Sequence, residues 1–170
     1  MSNGETMLIA YDGSARADRA LEYAAHLLRP TDVKILTAWE TSARQAARAV
    51  SRSGLHQSAV SSEHVEDDPA YEEALAICRR GITKAESLGL RGHAHLVESV
   101  SSIQSAIVDA AQELDVDVIV TGTRALTGFR SLWNNSTAEY IVRNAGLPVF
   151  IVPPENDDDS DDSDASGDDA

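Results

Sequence analysis

Two short stretches bring together residue types whose order suits ligand chemistry. The first is Asp12-Gly13-Ser14, a carboxylate and a hydroxyl on either side of a conformationally free residue, directly after the apolar run MLIAY. The second runs from Gly122 to Thr137, directly after the apolar run VDVIVT, and holds Arg124, Ala125, Asn135 and Ser136. Both stretches also have a plainer use. Asp12 can cap the turn into a following helix, and Ser136 can cap the helix that starts behind it, with Glu139 completing the box.

Other clusters are set against ordinary structural roles. Arg44, Arg48 and Arg52 are spaced by four, so a helix would put all three on one face, and a solvated face is the common outcome. His93 and His95 point to one side of a strand as a metal pair does, but no third ligand stands beside them. Cys78 falls on the apolar stripe of a helix, where a buried thiol is inert. Phe129 and Trp133 read as hydrophobic plugs. The sequence contains no Gly-x4-Gly-Lys-Ser/Thr loop, no Gly-x-Gly-x2-Gly after the first strand and no Gly-x-Ser-x-Gly turn, so the usual enzyme signatures of such folds are missing.

The elements that must position these residues follow from periodicity. MLIA, Val33 to Ala38, Ala94 to Val100, Val116 to Thr121 and Leu147 to Val152 read as five strands. A helix from about Ser14, with Ala17, Ala20, Leu21, Ala24, Leu27 and Leu28 inward, is expected to stop at Pro30. Asp68 and Pro69 open a second helix that runs to Gly89 through Tyr71, Leu75, Cys78, Ile82 and Ala85. Ser101 with Gln104 forms a capping box before a third, lined by Ile103, Ile107, Ala110 and Leu114. A fourth runs from Ser136 to Gly146. Glu40 to Asp67 is a long polar stretch, expected as a mobile insertion over about 41–67 with helical turns. Strands alternating with helices specify an α/β fold: an open five-stranded parallel sheet with helices on both faces, whose ligands bind beyond the carboxyl ends of the strands.

Charge and composition narrow the setting. The chain has 170 residues and a formal net charge of -14, with nine carboxylates between Glu155 and Ala170. That run has almost nothing apolar to bury, so 155–170 is expected as a disordered acidic tail beyond one domain spanning 1–154. The remaining body is mildly acidic, with twelve Arg and two Lys, which disfavours nucleic acid as a partner. A single cysteine suits a reducing compartment, and a polar N-terminus without long apolar segments argues for a cytoplasmic protein away from membranes.

At LIAYDGS and at GTRALTGFRSLWNNSTAEYIVRNAGLPVFIVP the chain resembles the universal stress proteins, and the resemblance extends over nearly all of Met7 to Pro153. It implies a Rossmann-like fold of the adenine nucleotide alpha hydrolase type, strand order 3-2-1-4-5. In nucleotide-binding members a Gly-x2-Gly-x9-Gly-Ser/Thr pattern holds ATP, because glycines let backbone amides approach phosphate oxygens and a helix N-terminus adds a favourable dipole. Here Gly122 and Ser136 keep their positions, Ala125 and Asn135 replace the two other glycines, and Ser101 stands where many binders have glycine. The resemblance therefore allows three states: ATP (with Mg only in that case), AMP, or no nucleotide.

By that resemblance Asp12 and the backbone near Ala38 surround the adenosine end, and Gly122, Arg124, Asn135, Ser136 and Thr137 meet ribose and phosphates. Gly13, Ser14 and Ala125 are counted with the same nucleotide site. The implied function is that of an adenine-nucleotide-responsive stress or dormancy regulator, a homodimer paired through Val149 to Val152 that signals to an unknown protein partner. The alternatives are a nucleotide-free scaffold and a slow ATPase.

Overall fold

The computed structural model describes residues 6–53, 65–123 and 136–155. Five strands, β1 (Met7–Ala10), β2 (Asp32–Trp39), β3 (Arg91–Glu98), β4 (Val118–Gly122) and β5 (Val149–Val152), form one sheet in the order β3-β2-β1-β4-β5. Every pairing is parallel. The helices are α1 (Ala15–Tyr23), α2 (Ser42–Ser53), α3 (Pro69–Ser87), α4 (Ile103–Glu113) and α5 (Thr137–Asn144).

Alternation along the strands sends side chains to two cores. Met7, Ile9, Val33, Ile35 and Val120 meet Ala17 and Leu21 of α1 and Cys78 and Ala85 of α3. Leu8, Leu36 and Ile119 meet Ile107 and Ala111 of α4 and Ile141 of α5. Alanines on the inner helix faces let the helices lie close to the sheet, and burial of this apolar surface supplies most of the driving force. Cys78 is completely buried, and burial pushes its thiol pKa up, in keeping with an inert core position. On the α4 face of β3, His93 contacts Asp32 at 3.1 Å. Burial, then nearby Lys34, hold His95 below the ordinary histidine value, so it is neutral at pH 7.

Three local expectations are corrected. First, α1 does not run as one α-helix to Pro30. It widens into a π turn over Ala24–Leu28 and ends at Arg29, whose φ is 49° and whose N–H donates to Ala24 O at 3.2 Å. The wider turn rotates the later positions off the apolar face, so Leu27 is 57% exposed. Second, the α4 cap is Ser102, not Ser101: its Oγ accepts from Ser105 N at 3.1 Å, and Ser101 Oγ lies 2.7 Å from Ser105 Oγ. Third, the insertion holds more than isolated helical turns: 42–53 is one continuous helix, because its alanines and arginines are strong helix formers, while 54–64 lie outside the described residues. Arg44 and Arg48 do not simply face solvent. Arg44 donates to Ser99 O at 3.1 Å, and Arg48 pairs with Glu40 at 2.6 Å and reaches Ser101 O at 3.4 Å.

Asp68 joins two elements. Nearly fully buried, it caps α3 by accepting from Ala70 N and anchors the start of α2 by accepting from Ser42 N and Ser42 Oγ. At the other end of the chain, Arg19 of α1 donates to Pro153 O at 3.0 Å and pairs with Glu155 at 3.3 Å. Removing residues 156–170 should therefore leave the melting temperature within about 2 °C of the full chain, since no backbone contact of the described fold is cut. A much larger drop in a thermal scan would show that the acidic run supports the fold.

Candidate functional site

A cleft of about 290 Å³ opens at the carboxyl ends of β1, β2 and β4, between the N-terminal turns of α1, α4 and α5. This is where a parallel sheet offers its crevice, because adjacent strands connect to helices on opposite faces. Of the residues singled out in the sequence, Asp12, Ser14, Ala38, Gly122, Ser136 and Thr137 line it. Gly13 belongs to the same turn, with φ of 75°, a conformation that strains any side chain, but it does not line the cleft. Arg124, Ala125 and Asn135, with the loop that carries them, lie outside the described residues.

The cleft has two chemically distinct ends. Leu36, Ala38, Ile103 and Ile107, from β2 and α4, form an apolar wall. On the β4 and α5 side stand Asp12, Arg16, Gly122, Thr123, Ser136 and Thr137. Ile103 and Ile107 belong to the α4 stripe recognised in the sequence, but that stripe alone does not reveal that its first turn overhangs a cleft. Arg16 went unrecognised as well. The available signal was its spacing of four from Asp12, which puts it one helical turn further along the same side.

The two readings of Asp12 apply to different atoms. Its Oδ1 accepts from Ser14 N at 3.0 Å and from Ser14 Oγ, fixing the turn, whereas Oδ2 faces the Arg16 guanidinium at 4.0 Å. Ser14 Oγ in turn accepts from Ala17 N and caps α1. Ser136 Oγ accepts from Glu139 N at 3.0 Å as the cap of α5, which leaves its own hydrogen to be donated. Behind the turn, Tyr11 donates its hydroxyl to Asp18 at 2.5 Å. Burial, then the neighbouring Asp18, push its pKa far above the ordinary value, so the phenol stays neutral. Gly122 has a packing reason of its own: a Cβ there would lie 2.6 Å from the backbone oxygen of Arg16.

Against known proteins, the model of the universal stress protein family matches residues 4–153. The chain belongs to the universal stress protein family. A universal stress protein of Thermus aquaticus is 30% identical over 157 residues, covering 87% of this chain and 98% of that one. Universal stress protein YxiE of Bacillus subtilis is 28% identical over 149 residues, covering 86% and 97%. A third member, from Methanocaldococcus jannaschii, is 32% identical over 81 residues, 46% of its length.

Solved universal stress proteins share the fold. One in complex with cAMP superposes with a TM-score of 0.61 at 22% identity, covering 89% of this chain and 98% of that one. One from Archaeoglobus fulgidus in complex with dAMP gives 0.58 at 23% identity, again covering 89% and 98%. The five-stranded parallel sheet of order 3-2-1-4-5 is thus the architecture of this family member. Among the described residues, no helix is long and apolar enough to cross a membrane.

Proposed function

We propose that this universal stress protein binds an adenine nucleotide in the two-ended cleft and acts as a nucleotide-responsive regulator of stress or dormancy, as a cytoplasmic homodimer. The observation that carries the reading is the cleft's division. An apolar wall of Leu36, Ala38, Ile103 and Ile107 suits a purine ring, and an end made of Arg16, Ser136, Thr137 and the α5 N-terminus suits a phosphate. Support comes from relatives of the same fold that hold cAMP and dAMP. The donors present fit a phosphate group, and Asp12 Oδ2, which does not hold the Ser14 turn, offers an acceptor for a ribose hydroxyl between the two ends. ATP is the ligand the family pattern implies, with Mg accompanying it alone, and AMP is its competitor.

For assembly, β5 has β4 as its sheet neighbour and ends the sheet; a second copy pairing along Val149 to Val152 would cover that edge. Light scattering at twice the chain mass supports this arrangement, and a monomer at micromolar concentration contradicts it.

One observation favours the nucleotide-free scaffold. The absence of a side chain at Gly122 is already required by Arg16 O, so this glycine does not by itself point to a phosphate. The two readings separate on purification. Mass spectrometry of the denatured protein should release stoichiometric adenine nucleotide, or calorimetry should measure ATP or AMP binding. A preparation without nucleotide that gives no heat with millimolar ATP or AMP supports the scaffold. Release of phosphate above buffer would instead support the slow ATPase.

A further inference from the structure

We propose that Arg16 reads the phosphate of the bound nucleotide, setting its guanidinium against phosphate oxygens at the polar end of the cleft. The inference rests on the nucleotide reading and adds to it a residue outside the family pattern. Arg16 is the second residue of α1, where free backbone N–H groups and the helix dipole already present positive charge, so a cation there opposes the helix that carries it. The first turns of α3 and α5 carry only the acidic Glu72 and Glu139, whereas α1 combines Arg16 with the acidic Asp18, which is engaged by the Tyr11 hydroxyl.

Little within the fold offsets this. Its nearest carboxylate among the described residues is Asp12, at 4.0 Å, with 67% of the Asp12 side chain and 36% of the Arg16 side chain exposed. A loose, solvated pair of this kind contributes next to nothing to stability. A charge set against its local preference, with slight return inside the chain and facing a cleft, points to a partner outside the chain.

The geometry gives that partner a place. The Arg16 backbone is pinned against the end of β4, its oxygen 2.6 Å from where a Gly122 Cβ would stand. The side chain therefore leaves from a fixed point beside Gly122, into the cleft that Ser136 and Thr137 also line. A phosphate there meets the planar fork of the guanidinium, the Ser136 hydroxyl hydrogen and the α5 dipole together. The ligand class selected is a phosphate-bearing adenine nucleotide over the bare nucleoside.

Arg16 has a second way to matter: it could merely screen Asp12, whose charge would otherwise repel phosphate. Calorimetry on the full chain distinguishes the two, using AMP and adenosine with wild type, Arg16→Gln and the double variant Asp12→Asn/Arg16→Gln. Direct contact predicts that Arg16→Gln weakens AMP about ten- to a hundredfold and leaves adenosine unchanged, and that the lowered AMP-to-adenosine affinity ratio persists in the double variant, a ratio in which any loss of an Asp12 contact to the nucleoside cancels. Because Gly122 packs on backbone atoms of Arg16, Arg16→Gln leaves that contact in place.

Unchanged AMP affinity in Arg16→Gln overturns the proposal, as do equal losses for AMP and adenosine, or a return of the AMP-to-adenosine ratio to the wild-type value in the double variant. Should adenosine bind too weakly to measure, the salt dependence of AMP binding decides. A shallower slope in Arg16→Gln supports contact, and equal slopes overturn it. A wild type that binds neither AMP nor adenosine removes the nucleotide reading itself and this proposal with it, whereas wild-type binding retained in Arg16→Gln removes only the role of Arg16.

Discussion

Replacing Gly122 by alanine is expected to destabilise the ligand-free protein by about 1–3 kcal/mol, the usual cost of overpacking a filled site. The added Cβ would stand 2.6 Å from Arg16 O and 3.0 Å from Arg16 C, both backbone atoms that no rotamer change can move. The first turn of α1 or the end of β4 must shift, and each carries cleft residues: Asp12 and Arg16 on one side, Thr123 on the other. Affinity for nucleotide should fall as a consequence. Thermal scans without ligand should show a drop of roughly 3–10 °C in a chain of this size. An unchanged scan with lost binding would mean that the glycine serves a ligand and not the packing of α1.

Asp68→Ala should be about as damaging or more so, at about 2–4 kcal/mol. It removes the cap of α3 and leaves the amide and hydroxyl of half-buried Ser42 without their acceptor. Asp68→Asn keeps one acceptor oxygen and should lose about half as much. The effect has a pH signature. The Ser42 hydroxyl first, then the Ala70 and Ser42 amides, hold the Asp68 carboxyl below its ordinary value of 3.8, against the opposing effect of burial.

A depressed folded-state pKa gives stability that is present above the unfolded value and lost as pH falls through the folded one. The difference between wild type and Asp68→Asn in urea unfolding should thus be constant above about pH 5 and shrink below about pH 4. A difference that persists unchanged to pH 2 would contradict the assignment of the charged form as the capping species.

Much of the fold was legible because the strands alternate between two buried faces and the helix starts carry strong signals. Asp68-Pro69 and Ser136 with Glu139 cap the helices that their sequence announces. What escaped has a local cause each time. Arg29 and Asp115 close helical segments with φ of 49° and 48°, where no glycine marks the stop. Ser101 and Ser102 are adjacent caps of equal chemistry, and the exit of the chain from β3 chooses between them. The polarity of 42–53 concealed a helix whose arginines find carbonyls and a carboxylate only once β3 lies beside them.

The site was legible where it follows a strand directly, at Asp12, Ser14, Ala38 and Gly122. It was not legible where it depends on how helices cross the crevice, as for Arg16, Ile103 and Ile107.

Amide chemical shifts under nucleotide titration test the central claim most directly. Adding ATP or AMP to isotopically labelled protein should shift the amides of Asp12, Ala38, Gly122, Ser136 and Thr137 along saturable curves, with β3 residues such as Gly92 and His93 unmoved. Millimolar nucleotide that leaves those five amides in place, or that shifts residues far from the cleft instead, would contradict a binding site between the ends of β1, β2 and β4.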